Sequence, residues 1–235
     1  MSLGRPRQGV CYSMRVLSYR LLSRVIVLSS GSLALTGCPE KMGAVPTTSA
    51  SAVVTSAAAV GKPAPDFTLK DLDGALVKLG ALRGKTVVLE WFNPGCPFVK
   101  QAHKAGSLAR MAADQTAKGV VWIAVNSSAP GNQGHGLEGN KAATKEWSMS
   151  HQVVLDESGD VGRAYGAQRT PQMFVIDPEG SIVYRGAIDS SKGGEPEPGD
   201  KVVNHVEAAL ADLAAKRPVA VAETEPFGCT VKYRK

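Results

Sequence analysis

The strongest constraint on the fold is the apolar run KTVVLEWF at residues 85–92, which is followed at once by NPG and by Cys96. A β-branched run without polar alternation is typical of a central strand that is covered on both faces. Pro97 suits the first turn of a helix, and the pattern predicts one helix from Pro97 to about Lys118. The sequence therefore places Cys96 between a buried strand and the start of a helix.

The elements around this strand predict the fold class. Two short alternating runs flank Asp73-Gly74 and predict a hairpin. The other predicted elements are a strand at 119–128, a helix near 139–149, a strand at 151–156, a short helix at 158–166, a hairpin at 172–186 and an amphipathic helix at 200–217. This order indicates an α/β fold, in which a central mixed β-sheet carries helices on both faces.

The positive charge of the chain is concentrated at its beginning. Residues 1–38 carry five arginines and no Asp or Glu, and the formal net charge of the whole chain is +6. A nucleic-acid-binding protein has its basic patch on the folded part, so this distribution argues against a nucleic-acid partner. Residues 25–35 form an apolar run that is too short to span a bilayer, which needs about 20 apolar residues. Arginines followed by such a run are typical of a secretory signal.

The leader ends with the sequence LTGC, whose last residue is Cys38. This ending resembles the box of bacterial lipoprotein signals, which are cut before the cysteine that then receives the lipid. The resemblance implies an exported protein, anchored to the membrane on the periplasmic side by a lipid on Cys38. The alternative is an ordinary signal that contains a cysteine. Met14 is a second candidate start, and a chain that begins there lacks Cys11.

The chain divides into four predicted segments. They are a lipoprotein signal peptide at 1–38, a flexible Ala/Ser/Thr/Val-rich tether at 39–62, a folded domain at 63–217 and an extended C-terminal tail at 218–235. Of the four cysteines, Cys96 and Cys229 are the two that remain as thiols in a processed chain. The compartment outside the inner membrane is oxidising, so two thiols there readily form a disulfide or a redox pair.

Cys96 has the surroundings of a reactive thiol. The N-terminus of a helix carries partial positive charge and free N–H groups, which stabilise a thiolate and lower its pKa. Lys100 and His103 follow one and two turns later and add positive field. The tight loop at 93–95 is expected to leave the sulfur at a surface. The alternative is a buried structural cysteine.

Three stretches, PAPDFTLKDLDG, VVLEWFNPGCPF and AYGAQRTPQMFVIDPEG, together resemble the thioredoxin-like superfamily. Within it they are most similar to the redoxin branch of alkyl hydroperoxide reductases and thiol-specific antioxidant proteins, over about residues 63–217. The resemblance implies a thioredoxin-like fold in which Cys96 is the attacking cysteine and Thr170-Pro171 is a cis-proline turn that faces it. It also implies that Glu90 is the buried acid that shuttles a proton. From the residues alone, Glu90 could instead be a core acid that its neighbours satisfy.

Two features depart from the family patterns. Val99 occupies the position of the second thioredoxin cysteine, so no local disulfide forms there. Leu89 and Asn93 stand where peroxiredoxins have Pro and Thr, so the strict peroxidase signature is missing, although Asn93 can still donate a hydrogen bond. The residues that we expect to support the site are Asn93, Pro94, Lys100 and Arg169.

Cys229 is the candidate partner of Cys96. The sequence NPGCPFVK together with the terminal GCTVKY resembles a branch of uncharacterised redoxin-like proteins, and this resemblance implies that Cys229 resolves the oxidised Cys96. The alternative is a tail thiol without a partner, because sequence alone cannot place two cysteines within the ~7 Å that bridging requires.

Two functions are compatible with these residues. The first is a lipid-anchored thiol oxidoreductase that acts on peroxides or on thiol/disulfide proteins and is recycled by an external thiol reductant. The second is a non-catalytic thioredoxin-fold lipoprotein that binds a metal or a partner protein. His103, His135 and His205 have no tight ligand spacing with Cys96, so the sequence predicts no metal site, and it predicts no cofactor.

Overall fold

A computed structural model of the chain describes residues 58–191, 199 and 201–235. The predicted signal peptide and residues 39–57 of the predicted tether lie outside these residues. The end of the tether is a correction, because the Ala58 N–H donates to the Ala164 carbonyl at 3.0 Å and the Gly61 N–H to the Ile182 carbonyl at 2.8 Å. Residues 58–62 therefore belong to the folded domain. Of the helices in the described residues, none is both long and apolar enough to cross a lipid bilayer.

The elements follow the predicted order. The strands are β1 (Thr68–Asp71), β2 (Leu76–Lys78), β3 (Val87–Trp91), β4 (Val121–Asn126), β5 (Gln152–Leu155), β6 (Arg169–Thr170), β7 (Gln172–Ile176), β8 (Ile182–Gly186) and β9 (Cys229–Thr230). The α-helices are α1 (Pro97–Lys104), α2 (Leu108–Ala117), α3 (Leu137–Glu146), α4 (Asp160–Tyr165) and α5 (His205–Ala214). Both predicted hairpins are confirmed, since β1 pairs antiparallel with β2 and β7 with β8.

The main sheet of the described residues has seven strands in the order β2-β1-β5-β4-β3-β7-β8. Strand β3 is parallel to β4, and β4 is parallel to β5, whereas β7 and β1 join this group antiparallel. Every residue of β3 is buried, as the apolar run predicted. The sheet is therefore mixed, with β3 at its interior.

Successive residues of β3 face opposite sides of the sheet. Val87, Leu89 and Trp91 pack on one side, where Tyr165 of α4 joins the same core cluster. Val88 packs on the other side, in a cluster that includes residues of α1, α2 and α5. The prediction of helices on both faces is confirmed.

The single helix predicted from Pro97 to about Lys118 is wrong, because α1 and α2 are separated at 105–107. The Gly106 N–H donates to the Gln101 carbonyl at 3.0 Å, which closes the end of α1. A Cβ at Gly106 would press on the backbone of Ala102, so this close turn requires glycine. The closing helix also begins later than predicted, because the Asn204 side chain accepts a hydrogen bond from the Glu207 N–H at 3.0 Å and caps α5.

The C-terminal segment is extended, as predicted, and packs along the domain. The Val231 N–H donates to the Gln168 carbonyl at 3.1 Å, and the Tyr233 hydroxyl to the Ala167 carbonyl at 2.8 Å. The Arg163 guanidinium lies 4.8 Å from the centre of the Tyr233 ring, a cation–π contact. These contacts hold the tail on the loop that leads into β6.

Candidate active site

Cys96 is the N-cap residue of α1, with Pro97 in the first turn. The loop before it is held by Asn93, whose Oδ1 accepts from the Gly95 N–H at 2.7 Å and whose Nδ2 donates to the Gln133 carbonyl at 3.0 Å. The Cys96 N–H donates to the Asn93 carbonyl at 3.0 Å. The predicted strand–loop–cysteine–helix arrangement is confirmed, and Asn93 acts in it by shaping the loop.

The expectation that this loop leaves the sulfur at a surface is wrong, because Cys96 is 0% exposed. Its side chain packs in a cluster with Phe92, Val99 and Trp147, and Cys229 packs against the same cluster. The C-terminal segment therefore covers the position that the loop alone would leave open.

The Thr170–Pro171 peptide bond is cis, as the resemblance implied. The Cys96 Sγ donates to the Thr170 carbonyl at 3.1 Å, so the cis-proline turn faces the cysteine. The turn and the helix start, which are remote in sequence, thus form opposite walls of one site.

Cys229 reaches this site through the pairing of β9 with β6. The strands are antiparallel, with Thr170 opposite Cys229. Gly228 has a φ of +111°, and a Cβ there would collide with the Thr170 carbonyl, so this approach requires glycine. Phe227 packs edge-on against Phe98 of α1, with ring centres 6.5 Å apart. The tail is thus joined to both walls of the site.

The two cysteines are free thiols, and Cys229 packs against the buried cluster that contains Cys96. Burial raises the pKa of the Cys96 thiol, but hydrogen bonds from Cys229, the Val99 backbone and Thr170 outweigh it and hold that pKa below its ordinary value. Burial, the hydrogen bond to Cys96 and the charge of Cys96 raise the pKa of Cys229 to about 11. The pKa of Cys96 therefore lies below that of Cys229, so Cys96 is the first of the two thiols to ionise.

The other predicted supporting residues are Lys100, Pro94 and Arg169, and their side chains make no hydrogen bond with the Cys96 sulfur in the described residues. Lys100 is exposed on α1, and Pro94 is half-buried in the loop before Cys96. Arg169 takes part through its backbone, which pairs with Thr230. The largest effects that lower the pKa of Cys96 are hydrogen bonds.

Glu90 lies in β3 at 0% exposure, inside a group of polar aromatic side chains. Its Oε1 lies 2.7 Å from the Nε2 of His103 in α1. Its Oε2 accepts from the Trp122 Nε1 at 3.2 Å and lies 3.8 Å from the Nε2 of His151. Among the described residues, the polar contacts of this carboxylate are with these three side chains and not with Cys96.

The sequence did not predict His151 or Trp122 as members of this group. His151 precedes β5 and Trp122 lies in β4, so both reach Glu90 through the strand order β5-β4-β3. Periodicity identifies strands but does not give their order. The one available signal was the buried acid in β3, which requires a polar partner.

In this group, burial and charge attraction have opposite effects on the pKa values of Glu90 and His151. Burial raises the pKa of Glu90, but attraction and hydrogen bonding to His103, attraction to His151 and the bond from Trp122 leave that pKa below its ordinary value. Burial lowers the pKa of His151 to about 4, against the attraction of Glu90. At neutral pH the group therefore contains a carboxylate and a neutral His151.

The remaining predicted histidines are elsewhere. His135 pairs with Glu157 at 3.0 Å near the surface, and His205 begins α5. Among the described residues, the group of three metal-ligating side chains that lie together is Glu90, His103 and His151, not a set built on Cys96.

These features define a class of protein. A cysteine at the N-cap of the helix after a central strand, opposite a cis-proline and within a mixed sheet with helices on both faces, is the arrangement of a thioredoxin-like protein. The sequence model of the Redoxin family matches residues 59–203. The chain belongs to the Redoxin family.

Named relatives are thiol-disulfide oxidoreductases. ResA of Geobacillus thermodenitrificans is 33% identical over 128 residues, which is 54% of this chain and 68% of that protein. ResA of Bacillus subtilis is 30% identical over 123 residues, which is 52% of this chain and 64% of that protein. The match thus spans about two thirds of these relatives.

Solved structures of two bacterial proteins are similar over almost their whole length. A hypothetical protein from Sinorhizobium meliloti has a TM-score of 0.67 and 27% identity, covering 76% of this chain and 97% of that chain. An uncharacterized conserved protein from Geobacillus kaustophilus has a TM-score of 0.66 and 31% identity, covering 75% of this chain and 93% of that chain. The shared fold therefore extends well beyond the segment that surrounds Cys96.

We expect the Cys96 thiol to have a pKa below the ordinary value of about 8.5. Cys229→Ala removes one donor to the thiolate and should raise this pKa, whereas Cys229→Ser keeps a hydroxyl donor and should raise it less. The measurement is the pH dependence of iodoacetamide labelling of the Cys96 peptide, followed by mass spectrometry. A wild-type midpoint at or above about 8.5 contradicts the prediction.

We expect acid to destabilise the domain partly through His151. Between pH 6.5 and about 4 the unfolded protein binds a proton at this residue and the folded protein does not, so stability falls as the pH falls. The shift corresponds to about 3 kcal/mol of unfolding free energy over this range. Urea unfolding in metal-free buffer at several pH values measures the slope. His151→Gln should reduce the slope, while the surface variant His135→Gln should not; equal slopes in all three proteins would exclude this role.

Proposed function

We propose that this protein is a thiol–disulfide oxidoreductase, with Cys96 as the attacking thiolate and Cys229 as the resolving thiol. The observation that carries the proposal is the meeting of two free cysteines beside the cis-proline turn, where Cys229 lies opposite Thr170 and packs against the cluster of Cys96. The relatives named thiol-disulfide oxidoreductase support disulfides over peroxides as substrates. The missing peroxidase signature at Leu89 and Asn93 points the same way.

The proposed reaction transfers two electrons from the two thiols to a substrate disulfide. The Cys96 thiolate attacks one sulfur, forms a mixed disulfide and releases the first substrate thiolate. Cys229 then loses its proton and attacks the Cys96 sulfur, which releases the second substrate thiolate and leaves a Cys96–Cys229 disulfide. An external thiol reductant, by the reverse exchange, returns the protein to its dithiol form.

Charge explains why the second step follows the first. The thiolate at Cys96 is one cause of the raised pKa of Cys229, which is about 11 while both thiols are reduced. A mixed disulfide at Cys96 has no charge, so it no longer opposes ionisation of Cys229. The resolving thiol is thereby activated after the attacking thiolate has reacted.

The exposure of the two cysteines suggests how partners approach. Cys96 is buried, whereas Cys229 is partly exposed on β9. In the disulfide form an external thiol therefore reaches Cys229 first, and Cys96 leaves as the thiolate with the lower pKa. A disulfide substrate reaches Cys96 after β9 has moved away from β6.

Other residues support the site in this proposal. Thr170 and Pro171 form the cis-proline turn, and the Thr170 carbonyl accepts a hydrogen bond from the Cys96 sulfur. Asn93 and Pro94 shape the loop before Cys96. For Lys100 and Arg169 a supporting role stays a prediction, since Lys100 is exposed and Arg169 pairs with Thr230 through its backbone. Glu90 is retained as the buried acid, and its lowered pKa means that at neutral pH it accepts a proton rather than supplies one.

An activity assay tests the proposed reaction. Cys96→Ser should lower the reduction of a disulfide substrate at least about 100-fold, because a serine hydroxyl is not ionised at neutral pH. Cys229→Ser should retain the first attack and accumulate the mixed disulfide. A parallel assay with hydrogen peroxide separates the two substrate classes. Equal activity of Cys96→Ser and wild type, or no activity in wild type, would favour the non-catalytic binding module.

The disulfide itself is a separate prediction. Oxidation of the full chain should join Cys96 and Cys229 within one molecule, because Cys229 packs against the cluster that contains Cys96 and lies opposite Thr170. Non-reducing peptide mass spectrometry should find the linked pair, and dithiothreitol should remove it. Oxidised protein in which both cysteines remain free, or are linked only between chains, would contradict this pairing.

We also propose that the protein is exported and anchored to the membrane through a lipid on Cys38, with its substrates among thiol/disulfide proteins of that compartment and no nucleic-acid partner. The support is the order of arginines, apolar run and LTGC in residues 1–38. Cys38→Ala should leave the signal uncleaved or release the protein to the soluble fraction. Membrane fractionation with mass determination of the N-terminus tests this, and a processed Cys38→Ala chain that stays with the membrane would place the anchor elsewhere.

A further inference from the structure

Three side chains of metal-ligating type lie together, and His103 among them contacts Phe92 and Trp147, which also pack with Cys96. Glu90 comes from β3, His103 from α1 and His151 from the residue before β5. Ala124 of β4 lies opposite Glu90 of β3 and opposite Val153 of β5. Between β3 and β5 the sheet therefore carries only a methyl group at this position. The fold thus brings three separate elements to one small polar interior.

The spacing of the donor atoms is close to that of a coordination sphere. One ligand atom from each residue lies within 4.8 Å of the others. The distances are 2.7 Å from Glu90 Oε1 to His103 Nε2 and 3.8 Å from Glu90 Oε2 to His151 Nε2. Tetrahedral Zn²⁺ with bonds of about 2.1 Å holds its ligand atoms about 3.4 Å apart, which lies between these two distances.

His151 has unused coordination capacity. Its side chain is 3% exposed, and neither of its ring nitrogens has a hydrogen-bond partner. A buried polar group without a partner costs about 1–3 kcal/mol. A cation between His151 and Glu90 would give the imidazole a partner and would compensate the buried carboxylate.

The surroundings hold the candidate ligands in place. Trp122 donates to Glu90 Oε2, the oxygen that faces His151. The His103 ring stacks on Trp147 with the ring centres 5.6 Å apart and an angle of 18° between the planes. Groups that orient ligands in this way are a usual part of metal sites.

We propose that Glu90, His103 and His151 bind one divalent transition-metal ion that accepts mixed nitrogen and oxygen ligands, of which Zn²⁺ is the model ion. Two imidazoles and one carboxylate are a known zinc ligand set and leave a fourth position for a non-protein ligand. The site uses no thiol ligand, because the Cys96 Sγ donates its hydrogen bond to the Thr170 carbonyl. Metal binding would tie β3, α1 and β5 together, and it does not depend on the proposed redox reaction.

The test uses the full chain, purified without a histidine tag and with all four cysteines replaced by alanine, so that thiols cannot bind the ion. After treatment with EDTA and dialysis, calorimetric titration with Zn²⁺ should show one ion per chain. His151→Gln and the isosteric Glu90→Gln should each weaken binding at least about 100-fold, since each removes a ligand. His135→Gln, which alters the surface pair with Glu157, is the matched control and should bind as the parent does.

A second measurement keeps the result independent of folding defects. Co²⁺ should give a visible d–d spectrum in the parent without a sulfur charge-transfer band, and circular dichroism should confirm that each variant is folded. No stoichiometric binding of either ion by the folded parent overturns the proposal. Equal affinity of the folded His151→Gln and His135→Gln proteins also overturns it. Because the cysteines are absent from every protein in the test, neither result depends on the redox activity.

Discussion

The pairing of β9 with β6 is the interaction on which the site depends. It places Cys229 opposite Thr170, whose carbonyl already accepts a hydrogen bond from Cys96. Without this pairing, Cys96 would be a single cysteine at the start of a helix, with no second thiol beside it. With it, a second thiol packs against the cluster of the buried Cys96, whose pKa is lowered. The tail therefore supplies the second thiol, which is missing from α1 because Val99 occupies the position of the second thioredoxin cysteine.

Several weak contacts hold this short strand in place. β9 has two residues, and a ladder of that length contributes little alone. The contacts of Tyr233 with Arg163 and with the Ala167 carbonyl fix the chain beyond it, and the contact of Phe227 with Phe98 fixes the chain before it. The residues on both sides of β9 thus hold the strand on the domain.

A second constraint on the fold is the buried carboxylate of Glu90 in β3. Glu90 places a carboxylate in the most buried strand of the sheet, where an uncompensated charge is very costly. His103 and Trp122 satisfy that charge, and His151 completes the group without a hydrogen bond of its own. Since α1 carries both Cys96 at its start and His103 near its end, the two polar sites of the domain share one helix.

Much of the local structure could be predicted, because it depends on neighbours in the chain. The apolar run at 85–92, Pro97 and the Asp73-Gly74 turn were sufficient to predict β3, the start of α1 and the first hairpin. The break at Gly106 was missed, because α1 and α2 continue one apolar pattern across it. The capping of α5 by Asn204 was also missed, because the apolar periodicity extends past the cap.

The sequence by itself determined the fold class, the place of Cys96 at the start of a helix, the cis-proline turn implied by family resemblance and the glycine before Cys229. Only the tertiary structure decided that Cys96 is buried, that Cys229 contacts it and that His151 joins Glu90 and His103. The physical reason is distance along the chain. Cys96 and Thr170 are 74 residues apart, and Thr170 and Cys229 are 59 residues apart. Local periodicity specifies each strand and helix, whereas strand order and the docking of the tail depend on the packing of the whole domain.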